Sequence, residues 1–181
     1  AALDSGVVMT HAEPIGHVIL SHGMESGPNA TKVTRLAAVA EALGFSSERV
    51  DDQGIVDPLV RLDRLLPKID AASGPLVLVG SSLGAYVSGL ASMQRTVDGL
   101  FLLAPPVGLP GIAPDLTLHA AHISIVHGWR DELIPPAEVV ALAAATRAEL
   151  KLYDADHRLT NVVPDIEREF AAFLARVVPL Q

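Results

Sequence analysis

The 181-residue chain contains no cysteine. Disulfide bonds, thiolate-bound zinc and a cysteine nucleophile are therefore excluded. Basic residues are also few, 13 against 21 acidic ones, which gives a formal net charge of -8. Because the backbone of a nucleic acid is itself negatively charged, no nucleic-acid partner is expected.

Sequence patterns of cofactor-binding proteins are missing as well. No Gly-x-Gly-x-x-Gly follows the first apolar run and no Gly-x-x-x-x-Gly-Lys-Ser/Thr occurs, so neither a dinucleotide nor a nucleoside triphosphate is expected. A metal site is conceivable from His127, Asp131, Asp154 and His157. No His-x-His or His-Glu-x-x-His spacing supports it. We expect neither a cofactor nor a metal ion.

One uncharged stretch, residues 71–94, is long enough to cross a bilayer. It contains four glycines, five serines and one proline, which divide it into two short apolar blocks, so no membrane span is expected. The first residues show no basic segment followed by an apolar one. We therefore expect no secretory signal and a cytoplasmic location.

A Gly-x-Ser-x-Gly pattern joins these two blocks and is centred on Ser82. An apolar run of strand length, residues 76–79, precedes it, and apolar residues at helical spacing follow it. Gly80 and Gly84 suit a sharp turn in which the end of a strand and the start of a helix lie too close for a Cβ. This context predicts that the Ser82 hydroxyl stands at the edge of a sheet. The alternative is an ordinary glycine-rich turn.

Apolar runs of strand length alternate with helical patterns along the rest of the chain. Strands are predicted near residues 16–23, 45–50, 76–79, 97–103, 122–127 and 150–153. The run at 45–50 is weaker, but the others are largely apolar. We therefore expect a mostly parallel sheet of about six strands with helices on both faces, a three-layer α/β/α sandwich. Residues 1–181 are expected to form a single domain.

Several local features refine this prediction. Asn29 is expected to cap the first helix and Asp57 the second, where a proline follows the cap. Pro67 is expected to bend or shorten that second helix. Residues 5–10 suit either a short edge strand or a frayed lead-in, and residues 105–117 are turn-like.

Polar residues follow the predicted strands at their carboxyl ends. Ser82 follows the third strand, Asp131 the fifth and His157 the sixth. The carboxyl ends of parallel strands share one edge of a sheet, so these residues can converge there. His157 would take the proton of the Ser82 hydroxyl, and Asp131 would orient the imidazole. The backbone N–H groups of Met24 and Leu83 are the expected donors to a developing oxyanion.

Each role has rivals in the sequence. Ser81 adjoins Ser82, but the two glycines are symmetric about Ser82 alone. Glu132, Asp154 and Asp156 are alternative acids, the last two being close in sequence to His157. We favour Asp131 because the chain order is then Ser, Asp, His.

Two further histidines, His22 and His127, also stand at the ends of predicted strands. A lone histidine in such a position is more often a structural group than a catalytic one. Both are therefore expected to be structural.

Four segments together resemble the α/β-hydrolase superfamily, and look most like its small lidless serine esterases. They are residues 21–28, 80–84, 127–135 and 156–159. The resemblance extends over residues 17–159 and implies hydrolysis of a carboxylic ester or thioester through an acyl-enzyme, without metal or cofactor. Few residues separate the fourth and fifth strands, where larger members carry a cap, so an open site is expected. The loop sequence His-Gly-Met-Glu differs from the His-Gly-Gly-Gly of many lipases and argues against a lipase.

These observations predict a serine hydrolase acting on small carboxylic esters through an acyl-enzyme. The expected pocket is uncapped and lined by apolar side chains such as Met24, Leu83 and Trp129, which suits a short acyl chain or a small aromatic ester. A thioesterase or acyltransferase using the same residues is an alternative within enzymes. A non-catalytic binding protein that retains the fold is an alternative outside them.

Overall fold

The computed structural model describes residues 12–111 and 115–179. The possible edge strand at residues 5–10 lies outside these ranges. Six strands form one sheet: β1 His17–Ser21, β2 Ser46–Arg49, β3 Leu76–Ser81, β4 Gly99–Leu103, β5 His122–Gly128 and β6 Glu149–Tyr153. Their order is β2-β1-β3-β4-β5-β6, and every neighbouring pair is parallel. The predicted six-stranded sheet is confirmed.

Five α-helices cover the two faces of this sheet: α1 Thr31–Ala42, α2 Pro58–Ala71, α3 Leu83–Ser92, α4 Pro136–Thr146 and α5 Val163–Val177. A short 3-10 turn, Thr160–Val162, precedes α5. Helices α1 and α5 pack on one face, and α2, α3 and α4 on the other. The predicted three-layer sandwich is therefore confirmed. Among the helices of the described residues, none combines the length and apolar character needed to cross a bilayer.

The alternation of side chains along each strand produces two hydrophobic cores. On β1, Val18 and Leu20 contact the layer of α1 and α5, whereas Ile19 contacts the layer of α2, α3 and α4. Successive side chains of a strand point to opposite faces, so a strand buried on both sides must be apolar throughout. Phe101 of β4 belongs to the core under α1 and α5, where it packs against Phe170 of α5 with ring centroids 4.9 Å apart.

One of the two predicted helix caps is confirmed and the other is wrong. The Asp57 carboxylate accepts a hydrogen bond from the Leu59 N–H at 2.9 Å, at the start of α2. Helix α1 instead begins after Ala30, which offers no side-chain cap. Asn29 lies one position before that cap, and its side-chain oxygen accepts from Arg49 at 3.3 Å.

Pro67 lies inside α2 without ending it, because the helix continues to Ala71. The expectation of a shortened helix is therefore wrong. Leu65 and Ile69 are buried on either side of the proline. Burial of such side chains contributes about 1.5–3 kcal/mol each, so the two together offset the roughly 3 kcal/mol that a proline inside a helix costs.

The connection between β4 and β5 packs against the α2 and α3 layer. Leu116 and Leu118 are buried in that core, and the Leu116 N–H donates to the Val107 carbonyl at 2.7 Å. The described residues of this connection form no helix, and no cap domain is present in the described part of the chain. The carboxyl edge of the sheet is therefore open.

Candidate active site

Ser82 occupies a sharp turn between β3 and α3. Its backbone angles are φ 53° and ψ -115°, a combination that L-residues rarely adopt. A Cβ on Gly80 would collide with the Gly84 carbonyl oxygen, and one on Gly84 would collide with the Ser21 carbonyl oxygen. Because these contacts are with backbone, no side-chain adjustment could relieve them. Both glycines are therefore required for the turn that presents the Ser82 hydroxyl.

Ser82, His157 and Asp131 form a continuous hydrogen-bonded chain at the carboxyl edge of the sheet. The Ser82 Oγ lies 2.9 Å from the His157 Nε2, and the His157 Nδ1 lies 2.7 Å from the Asp131 Oδ2. An ionised carboxylate can only accept, so the proton of the neutral ring resides on Nδ1. The His157 Nε2 is then free to accept the proton of the Ser82 hydroxyl.

The Asp131 side chain is completely buried and has partners for both oxygens. Its Oδ1 accepts from the backbone N–H groups of Leu133 at 2.9 Å and Ile134 at 2.8 Å. Burial of a carboxylate is costly unless such hydrogen bonds replace water. Asp131 therefore shapes the loop before α4 with one oxygen and binds His157 with the other.

The rival acids have other partners. Asp154 pairs with Arg130 at 2.6 Å and is largely exposed. Asp156 accepts from the backbone N–H two residues further on, at 3.0 Å. Among the described carboxylates, Asp131 alone is hydrogen-bonded to His157. No group of three or more potential metal ligands occurs within the described ranges.

His127 is fully buried directly behind Asp131. Its Nε2 donates to the Ile134 carbonyl at 2.9 Å and lies 3.4 Å from the Asp131 Oδ2. Burial lowers the pKa of His127, an effect that the Ile134 carbonyl and Asp131 partly offset. This arrangement agrees with the structural role expected for His127.

The loop after β1 lies beside Ser82. Strands β1 and β3 are neighbours at the point where the strand order reverses, which is where parallel sheets form their sites. A Cβ on Gly23 would lie 3.7 Å from the Ser82 Cβ. The Met24 N–H follows Gly23, and Leu83 is the first residue of α3, where N–H groups have no partner within a helix.

Arg61 is a residue near the site that the sequence prediction missed. Its guanidinium donates to the carbonyls of His22 at 2.7 Å and Gly23 at 3.2 Å, in the loop that carries Met24. A basic residue on an amphipathic helix is usually exposed. The available signal was its spacing, since Arg61 lies in the same buried stripe of α2 as Leu62 and Leu65.

A depression of about 690 Å³ adjoins His157. Its lining consists of Trp129, Arg130, Asp131, Glu132, Leu133, Asp156, His157 and Arg158. The predicted apolar lining is therefore only partly correct. Trp129 and Leu133 are exposed, at 58% and 71%, whereas Leu83 is buried in the core and Met24 is not among the lining residues. Five of the eight lining residues are charged.

A second depression, of about 510 Å³, lies at the opposite edge of the sheet. It is formed by the amino ends of β1 and β2 and by the last turns of α2. The Ser46 hydroxyl lies 2.6 Å from the His17 Nδ1 there. No carboxylate among the described residues is hydrogen-bonded to His17, so this pair does not repeat the arrangement around Ser82.

Solved structures similar to this chain share its architecture. A protein from Xanthomonas campestris pv. campestris, assigned to the α/β hydrolase superfamily, is 47% identical, with a TM-score of 0.85. The match covers 89% of this chain and 99% of that protein. No protein-family model and no curated protein matches the sequence.

More distant structures match in fold. An α/β serine hydrolase homologue from Coxiella burnetii is 23% identical, with a TM-score of 0.72 over 92% of this chain and 88% of that one. An α/β serine hydrolase without a lid, from Xanthomonas campestris, is 21% identical, with a TM-score of 0.69 over 91% of this chain and 84% of that one.

Proposed function

This chain belongs to the α/β-hydrolase superfamily, and from that premise we propose that it is a serine hydrolase that cleaves small carboxylic esters, the whole chain acting as one domain. The observation that carries the proposal is the unbroken hydrogen-bonded chain from the Ser82 hydroxyl through His157 to Asp131. Each member matches one task of nucleophilic acyl transfer.

In the acylation step, the Ser82 Oγ attacks the carbonyl carbon of the ester. The His157 Nε2, 2.9 Å away, removes the hydroxyl proton as the new C–O bond forms. Asp131 stabilises the resulting imidazolium through its 2.7 Å hydrogen bond to Nδ1. The imidazolium then protonates the departing alcohol, which leaves an acyl group on Ser82.

The negative charge that develops on the carbonyl oxygen needs fixed donors. The Leu83 N–H, at the positive end of α3, and the Met24 N–H, beside Gly23, are the pair that we assign to it. In the second step a water molecule donates a proton to His157 and attacks the acyl carbon. The imidazolium then protonates the Ser82 Oγ as its bond to the acyl carbon breaks, which releases the acid and restores Ser82. The open edge of the sheet supports access of water to the acyl-enzyme.

The size and walls of the depression beside His157 support a small ester. Trp129 and Leu133 offer apolar surface to one part of the substrate, while the charged residues between them leave little continuous apolar surface for a long alkyl chain. Turnover of short-chain p-nitrophenyl esters should exceed that of long-chain ones. Equal turnover of both would argue against a small-ester enzyme.

Labelling with a fluorophosphonate probe tests the nucleophile directly. The wild type should become labelled, and Ser82→Ala should not. Ser81→Ala is the matched control, since Ser81 is adjacent and buried but has no hydrogen bond to His157 among the described residues. Failure of the folded wild type to label would favour a binding protein that retains the fold. Products of thioesters, and of esters with added alcohols, then identify the preferred acyl donor and acceptor.

A further inference from the structure

Arg61 is a completely buried arginine that makes no salt bridge with any described carboxylate. Its guanidinium donates to three backbone carbonyls instead: from Nε to Ile55 at 2.6 Å, from Nη1 to His22 at 2.7 Å and from Nη2 to Gly23 at 3.2 Å. Burial lowers the pKa of Arg61, and the nearby Asp52 partly offsets this. An arginine nonetheless stays protonated in proteins, so a full positive charge lies beneath the loop after β1.

The Gly23 carbonyl is the most heavily bonded acceptor of that loop. Besides Arg61, it accepts from the His22 Nδ1 at 2.7 Å and from the Ser26 hydroxyl at 3.4 Å. The His22 Nε2 accepts from the Asp52 N–H at 3.0 Å, which fixes the tautomer with the proton on Nδ1. Three donors therefore hold one carbonyl oxygen, and a buried cation is one of them.

The orientation of this carbonyl determines that of the Met24 N–H. The Gly23 carbonyl and the Met24 N–H belong to one planar trans peptide unit, so they point in opposite directions. The Met24 N–H has no hydrogen-bond partner within the described residues. With the carbonyl bound to Arg61 beneath the loop, the N–H must point away from α2.

We propose that Arg61 is a positioning residue for the oxyanion site, holding the Gly23 carbonyl so that the Met24 N–H faces the substrate carbonyl attacked by Ser82. This inference rests on the serine-hydrolase function proposed above. A cation at the carbonyl end of a peptide also polarises that peptide, which strengthens its N–H as a donor. Arg61 thereby assists the reaction through a peptide unit, without touching the substrate.

The number and planarity of its donors make arginine particularly suited to this role. A guanidinium presents donors in a rigid fork and can bind the carbonyls of His22 and Gly23 side by side. A lysine would keep the charge but offer one flexible ammonium to the same carbonyls. Arg61→Lys should therefore retain part of the effect and Arg61→Met none of it.

The test compares Arg61→Met and Arg61→Lys with Arg95→Met. Arg95 follows α3 and donates to the exposed Asp70 and to the Gln94 carbonyl, with no bond, among the described residues, to the loop after β1. We expect kcat to fall about tenfold or more in Arg61→Met, since loss of one oxyanion donor typically costs about 10²–10³. Arg61→Lys should be intermediate, Arg95→Met should change kcat less than about twofold, and KM should be nearly constant in all three.

A second readout separates positioning from general structural support. A trifluoromethyl ketone forms a tetrahedral adduct with the serine and places a real oxyanion in the site, so its affinity should fall in proportion to kcat/KM across the series. The midpoint of the pH profile of kcat/KM should not move, because the link from His157 to Asp131 is unchanged. Circular dichroism and thermal melting establish that each variant is folded, and Arg61→Lys decides the matter if Arg61→Met does not fold.

Unchanged kcat in a folded Arg61 variant would overturn the inference, as would reduced kcat with undiminished affinity for the trifluoromethyl ketone. These results are distinguishable from failure of the proposed function itself. If the serine-hydrolase function is wrong, the wild type will neither react with a fluorophosphonate nor turn over esters. If only the inference about Arg61 is wrong, the wild type will remain active.

Discussion

The Asp131 Oδ2 lies 2.7 Å from the His157 Nδ1, while the Oδ1 of the same carboxylate is held by two backbone N–H groups. The carboxylate is therefore fixed before it binds the ring. A group fixed in this way can orient the imidazole and stabilise its positive charge without reorganising during the reaction. Through its hydrogen bonds, Asp131 thus links the loop before α4 to the reaction that we propose at Ser82.

Substitutions of Ser82, His157 and Asp131 should lower kcat in a non-additive way, because the three side chains act together in the proposed reaction. We expect Ser82→Ala and His157→Ala each to lower kcat by about 10⁴-fold or more, and Asp131→Ala to cost less. Their effects should be far from additive in a double variant. Steady-state kinetics on a short p-nitrophenyl ester would measure this, and a loss below about tenfold in His157→Ala would place the base elsewhere.

Gly84→Ala should destabilise the fold severely. Its Cβ would collide with the Ser21 backbone, which is fixed in the central sheet, so we expect a loss of about 3 kcal/mol or more. Gly89→Ala, in the same helix, is the control because the atoms nearest its Cβ would all be the methyl ends of the Leu116 and Leu118 side chains, not backbone. Thermal melting should show a large decrease for the first and a small change for the second. Equal melting temperatures would show that the turn can widen.

Replacing Asp57 before α2 should destabilise the protein more than replacing Asn29 before α1. Asp57→Ala removes the acceptor of the Leu59 N–H and should cost about 1 kcal/mol. Asn29→Ala removes only an exposed contact with Arg49, so a change within about 0.5 kcal/mol is expected. Urea unfolding of both variants would measure the difference. A larger loss for Asn29→Ala would mean that it caps α1 in solution after all.

Stability should decrease as the pH falls through the range in which free histidine becomes protonated. Burial lowers the pKa of His127 in the folded protein, so the unfolded chain binds a proton first and gains stability relative to the fold. The loss amounts to at most about 1.4 kcal/mol per pH unit for one histidine. It is complete only once folded His127 is protonated too.

His127→Gln tests this pH dependence. Glutamine can still donate to the Ile134 carbonyl but does not titrate, so the slope of unfolding free energy against pH should become shallower between about pH 7 and about pH 5. His119→Gln is the control, because His119 is exposed. The prediction is wrong if both variants keep the wild-type slope.

The elements and the convergence of Ser82, Asp131 and His157 could be predicted because their causes are local or topological. Apolar runs of strand length indicate buried parallel strands, and such strands share a carboxyl edge. Gly80 and Gly84 mark their turn within five residues of sequence. Local sequence patterns and the topology of a parallel sheet were enough, without knowledge of individual side-chain contacts.

The features that the sequence did not predict depend on distant partners. The Asn29 side-chain oxygen, expected to cap α1, instead accepts from Arg49 of β2. Arg61 is buried because the sheet brings the His22 and Gly23 carbonyls to it, 39 and 38 residues away in sequence. Leu83 belongs to the core because α3 packs with that side inward. None of these contacts follows from local propensity.

The backbone conformation of Ser82 costs stability, and the role of nucleophile that we propose for Ser82 gives a reason for this cost. Glycine adopts a φ of 53° with a ψ of -115° without strain, whereas in serine this conformation destabilises the fold by about 1–3 kcal/mol. Ser82→Gly should therefore be more stable than the wild type but unable to form an acyl-enzyme. Selection for thermal stability alone would favour glycine at this position. Retention of serine under such selection would therefore indicate that the protein is maintained for its reactivity.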